Sequence, residues 1–312
     1  MLKSIFRRGV KSVTGLAHKS LSRDLKQRMD LETTLNWILR DLKAGDRNNP
    51  MRFVSLLRDC IDQMKCSCRR VKGSGGNLSE PEKKFDAFTS LLNADVPPIR
   101  TQAAIRIAEI ADDYRGSRNM AGRSREPIGH HFGVASSAGK KIRMLSIAIK
   151  YFQPEQIVEL GTAYGISSLA MGYALQEIAT DERKAIIHTL EAFEPQATLS
   201  RELLGRELGS VVHCVKGLAD QSLAPMAKET GGIDFVFHDA GHTYEDYQHD
   251  FGVLEPFMKS GSILLLDDIR WNDLRDPTKA TRTYEGWQAI VAHPRVKRAA
   301  EIDDEIGLVL IA

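Results

Sequence analysis

Gln156-Ile-Val-Glu-Leu160-Gly161-Thr-Ala-Tyr-Gly165-Ile-Ser167-Ser168 is the stretch that decides the fold of this chain. Five mostly apolar residues have the length of a buried strand, two glycines permit a tight turn, and a helical stretch, 166–178, follows at once. Strand, turn and helix in that order make one unit of an α/β sheet. Working outward, a helical stretch at 136–150 precedes the unit, and further apolar runs lie at 185–190, 211–215, 233–238 and 263–266. Helix-compatible segments at 195–207, 219–228 and 244–258 separate them. Strands alternating with helices predict a mostly parallel sheet covered on both faces. Two last runs, 296–301 and 306–311, are separated only by Ile302 to Glu305, a gap that suits a hairpin and not a helical crossover.

The remainder of the chain has a different character. Residues 1–128 hold 25 Lys and Arg against 15 Asp and Glu, and the rest hold 18 against 26, beneath an overall charge of +2. Helical periodicity at 22–45, 51–68, 80–93 and 99–113 gives the first region three or four helices, which are marginal alone and should pack on one another, on the second region or on a partner subunit. The Arg-, Gly- and Ser-rich segment 114–128 marks the boundary. The expected organisation is therefore a basic helical region, 1–120, followed by a catalytic domain, 121–312. The first 23 residues carry six basic side chains and no acid, a pattern of an amphipathic surface helix, a presequence or a weak anchor, with a basic helix packed on its own protein as the plainer alternative. No secretory h-region follows and no run of apolar residues is long enough to span a bilayer, so the expected compartment is the cytoplasm. The basic residues are scattered without a nucleic-acid signature, so nucleic acid is not an expected partner. Cys60, Cys66 and Cys68 are clustered, but C-x5-C-x-C is not a zinc spacing, and with Cys214 they read as incidental thiols.

In an open parallel sheet, ligands collect beyond the carboxyl ends of the strands. Gly161 and Gly165 there allow backbone to approach a ligand, although a structural turn alone also explains them. The pattern is neither G-x-G-x-x-G nor a Walker loop. Glu191 closes the second strand, where a carboxylate can accept hydrogen bonds from both hydroxyls of a ribose; a surface salt bridge is the alternative. The fourth strand ends at His238-Asp239-Ala-Gly-His242-Thr-Tyr244 and the fifth at Asp267-Asp268. Asp239, Asp267 and Asp268 should therefore surround one crevice and repel, so they should recruit a hard cation such as Mg²⁺ or basic groups of a substrate. Asp267 facing the sheet or capping a turn is the competing reading. His242 has the chemistry to remove a proton, or it positions its loop.

These residues together resemble class I S-adenosylmethionine-dependent methyltransferases, and within them the catechol-type small-molecule O-methyltransferases and their bacterial relatives. Val158 to Ser168 is similar to the family's first cofactor motif. Asp-Phe-Val-Phe-His-Asp239-Ala-Gly-His242-Thr-Tyr244 resembles its D-x-x-F-x-D-x-x-H-x-Y segment, and Gly-Ser-Ile-Leu-Leu-Leu-Asp267-Asp268 its strand-five ending. The resemblance implies a Rossmann-like, seven-stranded, mostly parallel α/β sheet with a C-terminal antiparallel hairpin. It implies that Glu159, Gly161, Gly165 and Ser167 border the methionine part of the cofactor, that Glu191 holds the ribose, and that Gly217 and Asp220 bracket adenine. Asp239 borders the cofactor too, and Asp239, Asp267 and Asp268 match the metal ligands, although Asp268 stands where the relatives usually carry Asn. His242 stands where they usually carry a catalytic lysine.

The function so implied is O-methylation of a small-molecule or saccharide-like acceptor, with S-adenosylmethionine as cofactor, a divalent cation such as Mg²⁺ as a second requirement, and His242 and Asp239 as catalytic residues. Trp271, Tyr284 and Trp287 would wall the acceptor pocket, unless Trp287 is ordinary core. The N-terminal helices offer a surface for a homo-oligomer. Three rival readings are a catalytically idle methyltransferase-like domain serving an assembly, a nicotinamide-dependent oxidoreductase, against which the missing third glycine counts, and a nitrogen methyltransferase of RNA or protein, against which the lack of an Asn/Asp-Pro-Pro-Tyr-type motif after the fourth strand counts.

Overall fold

The computed structural model describes residues 66–73, 76–93, 139–180, 184–270 and 281–312. These fall in one unit of the chain, Val54–Ala312. The expectations for the basic first 23 residues, the helices at 22–45 and 99–113, nearly all of 51–68, Cys60, the 114–128 boundary and Trp271 lie outside the described residues.

In chain order the elements are β1 (Cys68–Lys72), α1 (Glu80–Asn93), α2 (Gly139–Phe152), β2 (Gln156–Leu160), α3 (Ile166–Glu177), β3 (Ile186–Glu191) and α4 (Glu194–Leu208). They continue with β4 (Val212–Lys216), α5 (Ala219–Thr230), β5 (Ile233–His238), α6 (Tyr244–Leu254), β6 (Met258–Leu266), α7 (Thr283–Ala292), β7 (Val296–Ile302) and β8 (Ile306–Ile311). All eight strands form one sheet in the order β1-β7-β8-β6-β5-β2-β3-β4. β6, β5, β2, β3 and β4 are parallel, and β8 and β7 return as an antiparallel hairpin beside β6. The Rossmann-like, mostly parallel sheet with its C-terminal hairpin is thus borne out.

Among the described residues the sheet has eight strands, one more than the seven that the resemblance implies. β1 pairs antiparallel with β7, bridging Cys68 to Ile302 and Arg70 to Ala300. β1 and α1 come from the stretch assigned to the basic helical region, so the boundary drawn at 120 on composition does not coincide with the edge of the sheet. Ser67 N–H donates to Asp303 Oδ1 at 2.6 Å and Cys68 N–H to Asn93 Oδ1 at 2.7 Å, tying the strand to the β7–β8 turn and to the end of α1.

Alternation along the strands divides the core between the two faces. Ile157, Phe235, Phe237, Ile263, Leu265, Leu308 and Leu310 pack beneath α1, α2 and α3. Val158, Leu160, Val236, Leu264, Leu266, Val309 and Ile311 pack against α6 and α7 through Tyr247, Phe251, Trp287 and Ile290. α3 is buried nearly all round, with even Ser167 and Ser168 out of water, which is the pattern of a helix enclosed between sheet and neighbours.

Candidate active site

β2, β3 and β4 run outward in one direction and β5 and β6 in the other, so the chain reverses direction across the sheet between β2 and β5. Ligands of open α/β sheets bind at such a point. Here the loops after β2 and β5 touch. Gly161 has φ +91°, and a Cβ on it would lie 2.1 Å from the carbonyl oxygen of Asp239. The Asp239 N–H donates to Leu160 O at 2.8 Å on the same crossing. The first glycine is therefore required by loop packing. Gly165 starts α3 with φ +82°, and no side chain caps the helix, which leaves N–H groups of its first turn facing outward from the strand ends.

Glu191 reaches back over this turn. Its Oε2 accepts from Ala163 N–H and its Oε1 from Phe193 N–H, both at 2.8 Å. A carboxylate has about four acceptor positions, so two remain for a pair of vicinal hydroxyls. Gly217 N–H donates to Glu191 O at 3.1 Å, which draws the loop after β4 alongside. Phe193 and Leu218, 47% and 53% exposed, stand on these two adjacent loops; they are two of only three large hydrophobic residues exposed among the described residues. Sequence reasoning passed over both. Asp220 lies in the first turn of α5 and is exposed.

Glu159 lies below the crevice surface. It shares a strand face with Ile157 and is fully buried, and its Oε2 accepts from Ser168 Oγ and from Thr189 Oγ1, which in turn contacts Thr162 Oγ1 at 2.6 Å. Burial pushes its carboxyl up to about 7, against the hydroxyls of Ser167, Ser168 and Thr189 that favour the charged form. Its Oε1 has no partner within the protein. A buried acceptor left open beside the first loop fits the cationic ammonium of an amino-acid moiety.

Asp239, Asp267 and Asp268 do come together, but they are not uncompensated. Lys141, in the first turn of α2, forms an ion pair with Asp267, and its Nζ lies 3.7 Å from Asp239 Oδ2. His242 Nε2 lies 3.1 Å from Asp268 Oδ2 and 3.6 Å from Asp239 Oδ1. Burial by itself would lower the Lys141 pKa, yet the three carboxylates raise it, so the ammonium is held charged. His242 is likewise pushed up, to about 10, because Asp239 and Asp268 outweigh its burial. Asp239 is held below the usual carboxylate range: burial would raise it, but Lys141 and His242 prevail. Asp267 is only 1% exposed; burial lifts its carboxyl, with Lys141 opposing.

This arrangement bears on a metal. The carboxylates and imidazole that converge are Asp239, His242 and Asp268, with candidate ligand atoms within 4.8 Å of one another. Asp267 is committed to Lys141. A Mg²⁺ site asks for near-octahedral oxygen ligands, and a histidine with two carboxylates beside an ammonium does not fit it.

Around the site, Thr243 caps α6, its Oγ1 accepting from Asp246 N–H at 3.0 Å, and Tyr247 OH donates to Asp267 O at 2.5 Å. Trp287 is core, not pocket wall: it is 1% exposed and its Nε1–H donates to Glu301 Oε1 at 3.1 Å. Tyr284 OH donates to the same oxygen at 3.0 Å, and the Arg270 guanidinium stacks 3.6 Å from the Tyr284 ring centre.

A sheet of this topology with a polar crevice at its reversal point defines a class: the fold of class I S-adenosylmethionine-dependent methyltransferases. Residues 158–269 match the family model described as a methyltransferase domain. Among solved structures, an O-methyltransferase from Bacillus cereus in complex with SAH is similar at 19% identity and a TM-score of 0.50, over 74% of this chain and 99% of that one. Cofactor-bound Rv0187 from MTB is similar at 18% identity and a TM-score of 0.50, over 76% of this chain and 99% of that one. At these identities the structural likeness shows the fold, and with the family match it bears out the resemblance at the level of a class I methyltransferase domain. Among the described residues no helix is long and apolar enough to cross a membrane.

Proposed function

We propose that this chain is an S-adenosylmethionine-dependent methyltransferase that methylates a hydroxyl of a small-molecule or saccharide-like acceptor. The observation that carries the reading is the Glu191 carboxylate at the end of β3, with two acceptor positions open and the exposed Phe193 and Leu218 beside it. A ribose needs the first and a flat base needs the second. Two strands along the sheet from β3, across the reversal point, the Asp239–His242–Asp268 group offers a polar end to the same crevice.

When bound, the cofactor supplies an electrophilic methyl on a sulfonium. Glu191 takes the ribose hydroxyls, Phe193 and Leu218 cover the adenine, and Gly217 and Asp220 bracket it. Glu159 Oε1, with Ser167 and the open N-terminus of α3 beside it, receives the amino-acid end. Asp239 and His242 face the acceptor hydroxyl. Catalysis rests chiefly on holding that oxygen in line with the methyl group. His242 takes the proton only in its neutral form, and with its pKa held at about 10 the transfer rate rises with pH toward that value. No step is assigned to a metal.

Isothermal titration of the full-length protein with S-adenosylmethionine and S-adenosylhomocysteine tests the cofactor part, and transfer of labelled methyl to a panel of hydroxylated aromatics and sugars tests the acceptor part. Phe193→Ala with Leu218→Ala should weaken cofactor binding about tenfold with little change in stability, because about half of each side chain faces water in the free protein. Unchanged cofactor affinity in that double variant sinks the assignment of the adenine position.

A further inference from the structure

Lys141 is the side chain that neither the expected machinery nor the family match, which begins at residue 158, accounts for. It occupies a position where its own helix disfavours it. α2 has no acidic residue in its first turn, and a cation at a helix N-terminus opposes the helix dipole. What holds the ammonium there is the carboxylate cluster: Asp267, from which it takes an ion pair, and Asp239, whose Oδ2 is 3.7 Å away. Asp267 is almost wholly out of water, and Lys141 and Asp239 each keep about a fifth of their side chains exposed. The ammonium thus lies at the inner wall of the opening, between one buried and one accessible carboxylate. A lysine ammonium is a compact point charge with three donors, suited to joining two carboxylates. A divalent ion drawing on Asp239 and Asp267 would have to displace this ammonium, which already neutralises both carboxylates.

We propose that Lys141 is the resident cation of this site: its ammonium fills the place between Asp239 and Asp267, positions both carboxylates, and keeps a divalent ion from binding between them. Lys141 is a positioning residue, acting on the acceptor through Asp239. The description of Asp239 as the acceptor end rests on the methyltransferase reading; the exclusion of a divalent ion rests on the ion pairs alone.

The test uses Mn²⁺ as probe, with binding to the full-length protein followed by electron paramagnetic resonance. The wild-type protein should leave Mn²⁺ free at about 1 mM, the weak end of protein cation sites. Lys141→Ala should gain a site at least about tenfold tighter, and Lys141→Ala combined with Asp267→Asn should lose it again. Lys141→Arg should exclude Mn²⁺ as the wild type does. Should Lys141→Ala fail to fold, Lys141→Met, which keeps the packed stem, carries the same expectation. Mn²⁺ binding by the wild type as tight as by the lysine variants overturns the proposal, and so does a folded lysine variant that gains no site. Titration with S-adenosylhomocysteine, run separately, reads the methyltransferase assignment: failure to bind it refutes that assignment and leaves the Mn²⁺ comparison standing.

Discussion

Replacing Gly161 by alanine should be among the most damaging single-methyl additions in this domain. The new Cβ would start 2.1 Å from Asp239 O and 2.6 Å from its carbonyl carbon, both backbone atoms that cannot rotate away. Ordinary contact requires the two loops to part by about 1 Å, enough to stretch the adjacent Asp239 N–H to Leu160 O bond of 2.8 Å past useful length. That bond contributes about 1 kcal/mol. Holding a non-glycine residue at φ +91° costs about 1–2 kcal/mol more, so the total is on the order of 3 kcal/mol before any residual overlap. Denaturant unfolding of the variant and the wild type measures it. Because the crossing lies beneath the crevice, affinity for S-adenosylhomocysteine should fall at least about tenfold together with stability. Gly205→Ala is the matched control: a Cβ there meets nothing within 4 Å, and on the exposed face of the last turn of α4 it should stabilise by about 0.5 kcal/mol. A Gly161→Ala protein within about 0.5 kcal/mol of wild type would refute the account of the crossing.

Glu191→Gln keeps one carbonyl acceptor for two backbone N–H groups and presents an amide to the ribose, so cofactor affinity measured by calorimetry should drop about ten- to a hundredfold. The His242 pKa is raised from 6.5 to about 10, so its contribution to stability is complete below about pH 6.5 and is lost as pH climbs through about 10. In unfolding measured from pH 6 to 10.5, wild type should therefore lose on the order of 3 kcal/mol more than His242→Gln over that range; parallel curves would remove His242 from the ion cluster. Glu301 accepts hydrogen bonds from Arg69, Arg270, Tyr284 and Trp287 while 2% exposed. Glu301→Ala should cost about 3–5 kcal/mol in thermal or denaturant unfolding, because two guanidinium groups lose their shared partner.

How much was readable in advance follows from where each contact comes from. The parallel strands are buried on both faces, so each announces itself as an apolar run, and the helix after β2 is apolar all round for the same reason. Strand-end acids such as Glu191 and Asp239 were legible because topology fixes where a strand end must lie. The burial of Glu159 was not legible, because which side of the sheet it takes depends on parity, and parity places it with Ile157 on a covered face. β1 gave no periodic signal: Cys-Arg-Arg-Val-Lys is an edge strand whose side chains are mostly exposed, with neither alternation nor an apolar run to detect. Lys141 was invisible as a site residue because its partners lie on strands far along the chain. Helical periodicity places it on α2, but nothing local indicates which end of the sheet α2 approaches. Phe193 and Leu218 carried a faint signal, apolar residues in the first positions after strand ends, that is meaningful only once the two loops are known to be neighbours.

β1 also determines where this domain can be cut. The strand occupies the otherwise open hydrogen-bonding edge of β7, and α1 behind it places Phe85 and Phe88 wholly inside, the latter 4.7 Å from the ring of Phe152. A chain begun at residue 121, as charge and composition alone would suggest, would bare an apolar pocket and a row of unsatisfied β7 backbone groups side by side. Such an edge is a template for pairing with another molecule. The short polar strand at the sheet's edge is, in that sense, the sheet's protection against its own copies.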